Sequence, residues 1–254
     1  MLRSRIIPCL LMHDGGLVKS RRFKEPKYVG DPLNAVKIFN EKQVDELMFL
    51  DIDATVGKNQ PDLAMLESLA VESRMPLCYG GGVSDAATAA RIIAIGFEKV
   101  SVSSAALARP QFVRELADAV GAQSVVVTLD VKKNKMSSGE TIYTCNGLEK
   151  HYVNLMEFCR HAVALGAGEI VLNSIDRDGE MAGYDLDLAK RLRAMVSTPI
   201  SMLGGAGTTA HMQELIDTVG IVGAGAGSMF VFKGTFRGVI ISYERPLRLR
   251  PDKP

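Results

Sequence analysis

The chain has 254 residues, of which 47% are hydrophobic, and its formal net charge is +1. So small a charge argues against nucleic acid or an anionic membrane as the partner of the whole molecule, and no apolar run reaches the ~18 residues that span a bilayer. Scattered cysteines without a C-x-x-C pair, no signal peptide and no histidines at metal-ligand spacing predict a reduced, cytoplasmic protein without metal or cofactor.

The sequence alternates short apolar runs with amphipathic segments of helical length. The apolar runs, several of them continuous as in strands buried on both faces, cover residues 6–11, 47–51, 76–79, 100–102, 125–130, 170–172, 199–203 and 221–224. Helices are predicted over 32–43, 62–72, 86–94, 110–119, 155–165, 187–194 and 209–218. This alternation favours a single (β/α)8 TIM barrel domain over residues 1–254, and an open doubly wound sheet is the alternative.

Two stretches of the chain are near copies. Segments 75–83 and 198–206 each end in a glycine-rich turn, so that Gly82 and Gly205 lie 123 positions apart. The repeat predicts two half-barrels, about 1–120 and 121–232. At the first strand of each half the offset is slightly shorter, and Asp130 then matches Leu11. One half therefore carries a strand-end acid that its twin lacks.

Two segments depart from a plain barrel. Ser138-Gly139, between polar and β-prone residues, predicts a hairpin inserted after Asp130. No amphipathic helix follows Ser228, and prolines at 246 and 251 would end one. We therefore expect a short or missing eighth helix and a C-terminal extension over 233–254.

Functional groups of such barrels lie at the carboxyl ends of the strands. Two glycine-rich regions there suit phosphate, because glycine lets backbone N–H groups approach an anion and serine hydroxyls donate a further bond. The first contains Gly82, Ser103 and Ser104, and the second contains Asp178, Gly179, Gly205, Gly227 and Ser228. The pair predicts a phosphorylated small molecule with a phosphate at each end, although strand-to-helix turns use glycine for structural reasons as well.

Strand-end carboxylates are the candidates for acid–base chemistry. Asp130 ends an apolar strand at the predicted mouth of the barrel, where a semi-enclosed site can shift its pKa, and we interpret it as catalytic rather than as a turn residue. Asp51 ends the second strand in a supporting position. Asp176 lies beside Asp178 and is expected to position that phosphate loop.

Four charged residues lie at the opposite ends of the strands. Arg5, Glu46, Lys99 and Glu169 each immediately precede an apolar run. Opposite charges so placed could form a ring of ion pairs across the barrel floor. The competing interpretation is a merely solvated bottom face, where isolated pairs contribute little.

The chain resembles the cyclase subunit of imidazole glycerol phosphate synthase, the HisF family, from residue 1 to about 232. The resemblance rests on segments 5–10, 14–19, 46–52, 79–83, 166–170, 174–179 and 204–207, which include Tyr-Gly-Gly-Gly-Val and Ser-Ile-Asp-Arg-Asp-Gly. It implies a barrel that forms a heterodimer with a HisH-like glutaminase, receives ammonia through the four-residue floor as a gate, and binds a bisphosphate at the other mouth. Lys19 matches the family's lysine in the first loop.

The chain departs from the family at functional positions. The family shares acid–base work between two strand-end aspartates, of which Asp130 matches one and Leu11 replaces the other. Ser103 stands where the family usually has asparagine. These features resemble a divergent branch found with lipopolysaccharide biosynthesis, in which the ammonia serves a third, sugar-modifying enzyme that converts an acetamido sugar to an acetamidino sugar.

Three functions remain open at this point. The favoured one is the ammonia-conducting partner of a glutaminase for sugar amidination. The second is a working cyclase of histidine biosynthesis, which forms imidazole glycerol phosphate and AICAR with Asp130, aided by His13. The third is a non-catalytic scaffold that activates its glutaminase.

Overall fold

The computed structural model describes residues 3–134 and 139–243. Its strands are β1 (Arg5–His13), β2 (Gly16–Arg21), β3 (Lys24–Gly30), β4 (Leu47–Asp51), β5 (Leu77–Gly80), β6 (Lys99–Val102), β7 (Val125–Lys133), β8 (Glu140–Thr144), β9 (Glu149–His151), β10 (Glu169–Ser174), β11 (Ile200–Leu203), β12 (Gly223–Ala226), β13 (Phe232–Lys233) and β14 (Gly238–Val239). Its α-helices are α1 (Pro32–Lys42), α2 (Leu63–Glu72), α3 (Ala86–Ile95), α4 (Ser104–Ala108), α5 (Gln111–Val120), α6 (Leu155–Ala164), α7 (Leu186–Met195), α8 (Thr209–Val219) and α9 (Ser228–Val231).

Eight of these strands form a closed parallel barrel. They follow one another in the order β1, β4, β5, β6, β7, β10, β11 and β12, and β12 pairs with β1 in parallel, with Arg5 opposite Gly223. Helices connect successive strands, so the (β/α)8 TIM barrel is confirmed and the open sheet is excluded. All eight strands were predicted from their apolar runs. Among the described residues, no helix has the length and apolar character needed to cross a bilayer.

The barrel is filled by side chains and is not an open pore. A small apolar cluster occupies its centre and consists of Ile7, Cys9, Met48, Cys78, Val126, Val171 and Leu203. One polar pair lies among them, where the hydroxyls of Ser101 and Thr128 approach to 2.6 Å. A larger cluster packs the outer faces of the strands against the helices. Cys9 and Cys78 are free, buried cysteines of this centre.

The helices begin and end where local sequence signals predict. The side chain of Asp85 accepts from the N–H of Thr88 at the start of α3, and Gly96 caps its end with a φ of 122°. Asp31 likewise caps α1, whose first residue is proline. Such caps satisfy backbone groups that have no partner inside the helix.

The internal repeat is visible in the backbone. A Cβ on Gly81, whose φ is 129°, would lie 2.5 Å from the carbonyl oxygen of Asp51. A Cβ on Gly204, whose φ is 87°, would lie 2.5 Å from the carbonyl oxygen of Ser174. Both pairs are related by 123 positions in the sequence. The same glycine is therefore required in each half for the same reason, a close approach to the end of the preceding strand.

Hairpins extend the sheet at the carboxyl ends of two barrel strands. After β7, the predicted hairpin forms with β8, although Ser138 lies outside the described residues. After β1, strands β2 and β3 form two further antiparallel pairs that were not predicted. The turn at Asp14-Gly15 has the dipeptide favoured in two-residue hairpins and could have been recognised. The next turn uses positive φ at Arg22 and Phe23, which no local signal predicts.

Among the residues described up to Tyr243, only a short helix follows β12 in place of a full eighth helix, as expected. Helix α9 has four residues and leads into the short β13–β14 hairpin. The chain then returns across α9, where the N–H of Ser242 donates to the carbonyl of Phe230 at 2.8 Å and Tyr243 stacks on the Phe230 ring. Phe230 also meets Phe39 of α1 edge to face. Aromatic packing therefore covers the side of the barrel that a longer helix would occupy.

Candidate functional site

The carboxyl ends of the barrel strands surround a cavity of about 660 Å³. Its lining includes Leu11, His13, Lys19, Asp51, Gly82, Ser103, Ser104, Asp130, Asn173, Asp178, Gly179, Gly205, Gly227 and Ser228. Both glycine-rich regions and the candidate acid therefore share one cavity, as expected from strand ends that meet at one face of a barrel. Asp176 is not among the lining residues.

Asp130 is an acid of this cavity with a strongly shifted pKa. Burial raises its pKa to about 7, against the opposing effect of a hydrogen bond from Asn173 and with a further increase from the negative charge of Asp178. The Asn173 amide nitrogen donates to Asp130 Oδ1 at 2.8 Å. A carboxyl group with a pKa near 7 can both donate and accept a proton near neutral pH. Asn173 was not singled out in the sequence, although its strand-end position was a usable signal.

The cross-strand neighbour of Leu11 differs in character from that of Asp130. In the sheet it lies opposite Leu50 of β4, while Asp130 lies opposite Asn173 of β10. The polar pair of the second half therefore corresponds to an apolar pair in the first half. Both leucines line the cavity and are partly buried.

Asp51 organises the loop that follows β4. Its Oδ1 accepts from the backbone N–H groups of Asp53 and Ala54, each at 3.0 Å, and Tyr79 donates its hydroxyl to Oδ2 at 3.3 Å. This agrees with a supporting position. The carboxylate is held by donors and shapes the loop beside the cavity.

His13 and Asp53 form a second polar pair at the rim of the cavity. His13 Nδ1 lies 2.7 Å from Asp53 Oδ1, and this hydrogen bond raises the pKa of the imidazole. Asp53 also accepts from the N–H of Asp14 at 2.8 Å, which ties the first hairpin to β4. Ligand atoms of these three residues lie within 4.8 Å of one another and could hold a cation. The sequence did not predict this grouping, because the pair spans 40 positions.

The first glycine-rich region contains a buried hydroxyl without a partner. Ser103 Oγ is shielded from solvent and has no hydrogen-bond partner among the described residues. The N–H of Gly82 has only a long contact, 3.4 Å, with the Thr55 hydroxyl. Buried polar atoms are nearly always satisfied, so an unpaired one beside a cavity suggests a missing ligand atom.

The second glycine-rich region contains a buried ion pair. Lys19 Nζ donates to Asp178 Oδ1 at 2.6 Å, and both side chains are almost entirely buried. A Cβ on Gly227 would lie 2.7 Å from Lys19 Cε, so glycine is needed for the lysine to pass. Lys19 therefore neutralises the Asp178 carboxylate, which lines the cavity. Ser228, which follows Gly227 in sequence, is 3% exposed.

Asp176 makes a different contact from the one expected. Its Oδ2 accepts from the backbone N–H of Lys133 at 2.9 Å. It therefore anchors the hairpin that follows β7. Asp176 lies within a short 3-10 turn, Ile175–Arg177, and Asp178 directly follows that turn.

The four floor residues do meet in a ring of ion pairs. Arg5 bonds Glu46 and, at 2.7 Å, Glu169. Lys99 Nζ lies 2.8 Å from Glu46 Oε2 and 2.9 Å from Glu169 Oε2. Ser201 also donates to Glu169. Burial opposes ionisation of Glu169, but Lys99 and Arg5 outweigh it and lower the pKa of that carboxyl.

The ring is charged and closed in this structure. Each glutamate is at most 3% exposed and contacts both cations. Desolvation makes such a cluster costly unless every charge is paired, which is the case here. This excludes the interpretation of the bottom face as independent solvated charges.

Comparisons with known proteins agree with this architecture. A family model described as "Histidine biosynthesis protein" matches residues 5–237. A Vibrio vulnificus (strain YJ016) protein, named as a candidate imidazole glycerol phosphate synthase subunit hisF3, is 52% identical over 97% of this chain and 95% of its own length. The imidazole glycerol phosphate synthase subunit HisF of Streptococcus sanguinis (strain SK36) is 39% identical over 91% of each chain. This chain therefore belongs to the histidine biosynthesis protein family, within its group of HisF subunits.

Proposed function

We propose that the chain is a HisF-type synthase subunit that receives ammonia from a glutaminase through its floor and delivers it to the opposite mouth for amidination of a surface-polysaccharide sugar. The observation that carries the proposal is the combination of a closed ion-pair ring at one end of the barrel with a cavity at the other end in which Leu11 stands at the position that corresponds to the acid Asp130.

The floor is the proposed docking face for a HisH-like glutaminase. The ring of Arg5, Glu46, Lys99 and Glu169 holds four charges in a network that a small neutral molecule could enter only after an ion pair opens. Above it, the centre of the barrel is mostly apolar, which favours neutral ammonia over the ammonium ion. Among the described residues of this central layer, the hydroxyls of Ser101 and Thr128 form the one polar pair that we identify, and they could hydrogen-bond to ammonia on its way.

The mouth is the proposed binding site of a phosphorylated small molecule. The Ser103 hydroxyl without a partner and the Lys19–Asp178 pair mark two separate anion regions in one cavity. Regions related by the internal repeat suit a ligand with a phosphate at each end. This part of the proposal is shared by the amidination and histidine-pathway functions.

The position of Leu11 separates those two functions. Leucine cannot transfer a proton, and a general acid or base typically contributes ~10²–10⁴-fold in rate. Leu50, its neighbour across the sheet, offers no replacement. We therefore favour a barrel that supplies ammonia to a sugar-modifying amidotransferase over one that performs the two-acid cyclisation.

The test is a cyclase assay with ammonium salts, which bypasses the glutaminase. We expect the purified chain, with the bisphosphate substrate of the histidine pathway, to form imidazole glycerol phosphate at least ~10²-fold more slowly than a HisF with both acids. A reconstituted mixture with the glutaminase and the sugar-modifying enzyme should transfer glutamine nitrogen to the sugar. Cyclase turnover equal to that of a two-acid HisF would overturn the amidination proposal.

The histidine-pathway cyclase is retained as a second candidate because of His13. The imidazole lines the same cavity as Asp130 and is hydrogen-bonded to Asp53, an arrangement that orients a histidine for proton transfer. If it acts as the second acid–base group, His13→Asn should abolish cyclase turnover in the same assay. If His13→Asn leaves a measurable turnover unchanged, this candidate loses its proposed second group.

A further inference from the structure

The C-terminal hairpin places an arginine against the second anion region. Arg237, just before β14, donates from Nη1 to the carbonyl of Gly179 at 3.1 Å. Its Nη2 lies 3.4 Å from the hydroxyl of Ser228, which it approaches as a donor. One guanidinium therefore connects the loop after β10 with the start of α9. Gly179 and Ser228 both line the cavity.

The guanidinium is held in place from several sides. It lies over the Phe232 ring, 4.6 Å from the ring centre, and Phe232 is buried. Lys27 of β3 donates to the carbonyl of Arg237 at 3.2 Å. Arg237 is half-buried, whereas the other residues of 233–240 are exposed. Its side chain is thus ordered by packing and is not a freely moving surface charge.

The backbone supports the same conclusion. Arg237 has a φ of 50°, a left-handed conformation that costs a non-glycine residue free energy and is uncommon for one with a long side chain. The neighbouring Gly238 could occupy such a position without that cost. A strained residue that persists in a turn suggests a requirement for its side chain. The contacts to Gly179 and Ser228 provide that requirement.

Arg237 brings a positive charge to this region that no nearby carboxylate of the described residues balances. Lys19 is neutralised locally by Asp178, with which it forms a buried pair. No carboxylate of residues 3–134 or 139–243 lies within ion-pairing distance of Arg237. The sum over Lys19, Asp178 and Arg237 is therefore one positive charge, beside a hydroxyl that can donate to a ligand.

We propose that Arg237 is a positioning residue for the second phosphate-binding region, where it aims the Ser228 hydroxyl and supplies the charge that selects a phosphate monoester dianion. The inference rests on the proposed function, because it assumes that this region binds phosphate. Arg237 is not a lining residue and acts through Ser228, Gly179 and the local potential. The C-terminal segment that replaces the eighth helix thereby becomes part of the binding site.

The test follows inorganic phosphate by two-dimensional NMR of the isotope-labelled full-length chain. Backbone amides of Ser228 and Gly205 report on the second region, and those of Gly82 and Ser104 report on the first within the same sample. We compare wild type with Arg237→Gln, Arg237→Lys and Phe236→Ala. Phe236 is the matched control, since it adjoins Arg237 in the same turn and is 98% exposed.

Arg237→Gln removes the charged contact to the Ser228 hydroxyl and should weaken phosphate binding at Ser228 and Gly205 by roughly tenfold. Phosphate binding reported by Gly82 and Ser104 should stay unchanged. Arg237→Lys should recover part of the loss, and Phe236→Ala should match wild type. The loss should also shrink as salt is raised, which a purely structural defect would not do.

Two outcomes overturn the inference. Unchanged affinity at Ser228 in Arg237→Gln would exclude Arg237 while leaving the phosphate region intact. Absence of phosphate-induced shifts at Ser228 and Gly205 in wild type would overturn both this inference and the phosphate part of the proposed function. If Arg237→Gln perturbs the hairpin, the amides of Ile240 and Ser242 will report it, and Arg237→Lys at low and high salt then decides between charge and structure.

Discussion

The amide of Asn173 donates to the carboxyl of Asp130 at 2.8 Å, from the position directly opposite on the neighbouring strand. The equivalent pair in the first half of the barrel is Leu50 opposite Leu11. The departure from the family pattern is therefore a difference between two cross-strand pairs. One pair is a titratable group with an amide partner, and the other pair is apolar.

The raised pKa of Asp130 predicts how stability depends on pH. The folded state keeps the proton of Asp130 up to about pH 7, whereas the unfolded state loses it near pH 3.8. The free energy of unfolding should therefore decrease as the pH rises from about 3.8 to about 7. Asp130→Asn removes this penalty. We expect the variant to match wild type near pH 4 and to exceed it at pH 8 by up to about 4 kcal/mol. Urea denaturation at both pH values measures the difference, and a gap that does not grow with pH would contradict the assignment.

The pairing of Leu11 with Leu50 predicts that an acid cannot simply be restored. Leu11→Asp should place a partly buried carboxylate opposite an apolar side chain and lower the free energy of unfolding at pH 8 by about 1–3 kcal/mol. Adding Leu50→Asn supplies the amide that Asn173 provides in the other half and should recover about 1 kcal/mol. The single and double variants, with Leu50→Asn alone, complete a double-mutant cycle by urea denaturation. A zero coupling energy would show that the two positions do not interact.

The floor ring predicts a large penalty when one cation is removed. Lys99→Met leaves Glu46 and Glu169 to share Arg5 and should cost about 3–5 kcal/mol at pH 7, as for an uncompensated buried charge. Arg3→Ala is the control, because Arg3 pairs with Asp45 through a side chain that is 76% exposed and should change stability by less than about 1 kcal/mol. Equal effects in chemical denaturation would contradict the ring as an integrated network.

The same variant tests the passage of ammonia. If the ring admits ammonia, Lys99→Met should change the ratio of glutamine-dependent to ammonium-dependent turnover in the reconstituted system while the glutaminase remains bound. A variant that alters both rates equally, or that only weakens docking, would instead indicate a structural floor.

The repeated glycines predict matched defects in the two halves. Gly81→Ala and Gly204→Ala each force a Cβ to 2.5 Å from a backbone carbonyl and add left-handed strain, so each should cost about 3 kcal/mol or more. Gly220→Ala has a comparable positive φ but meets nothing within 4 Å, and should cost only about 1–2 kcal/mol. Thermal unfolding of the three variants separates close approach from strain. Equal costs in all three would mean that the contacts relax freely.

The sequence predicted the barrel well because its signals are local. Apolar runs and glycine turns recur at the spacing of strands and helices, and the hairpin after β7 was recognisable from its turn residues. The β2–β3 pair was missed because its turn uses Arg22 and Phe23 at positive φ, where glycine or asparagine is the usual signal. The role expected for Asp176 differs for a related reason: adjacency to Asp178 in sequence does not determine the direction of its side chain.

By itself, the sequence determined the eight strands, the repeat and the asymmetry between Leu11 and Asp130, since each depends on residue type and spacing along the chain. Only the tertiary structure decided which groups cooperate. Asn173 meets Asp130 across 43 positions, His13 meets Asp53 across 40, and Arg237 meets Gly179 across 58. These contacts depend on how strand ends and the C-terminal hairpin converge on one cavity, and no periodic pattern along the chain encodes that convergence.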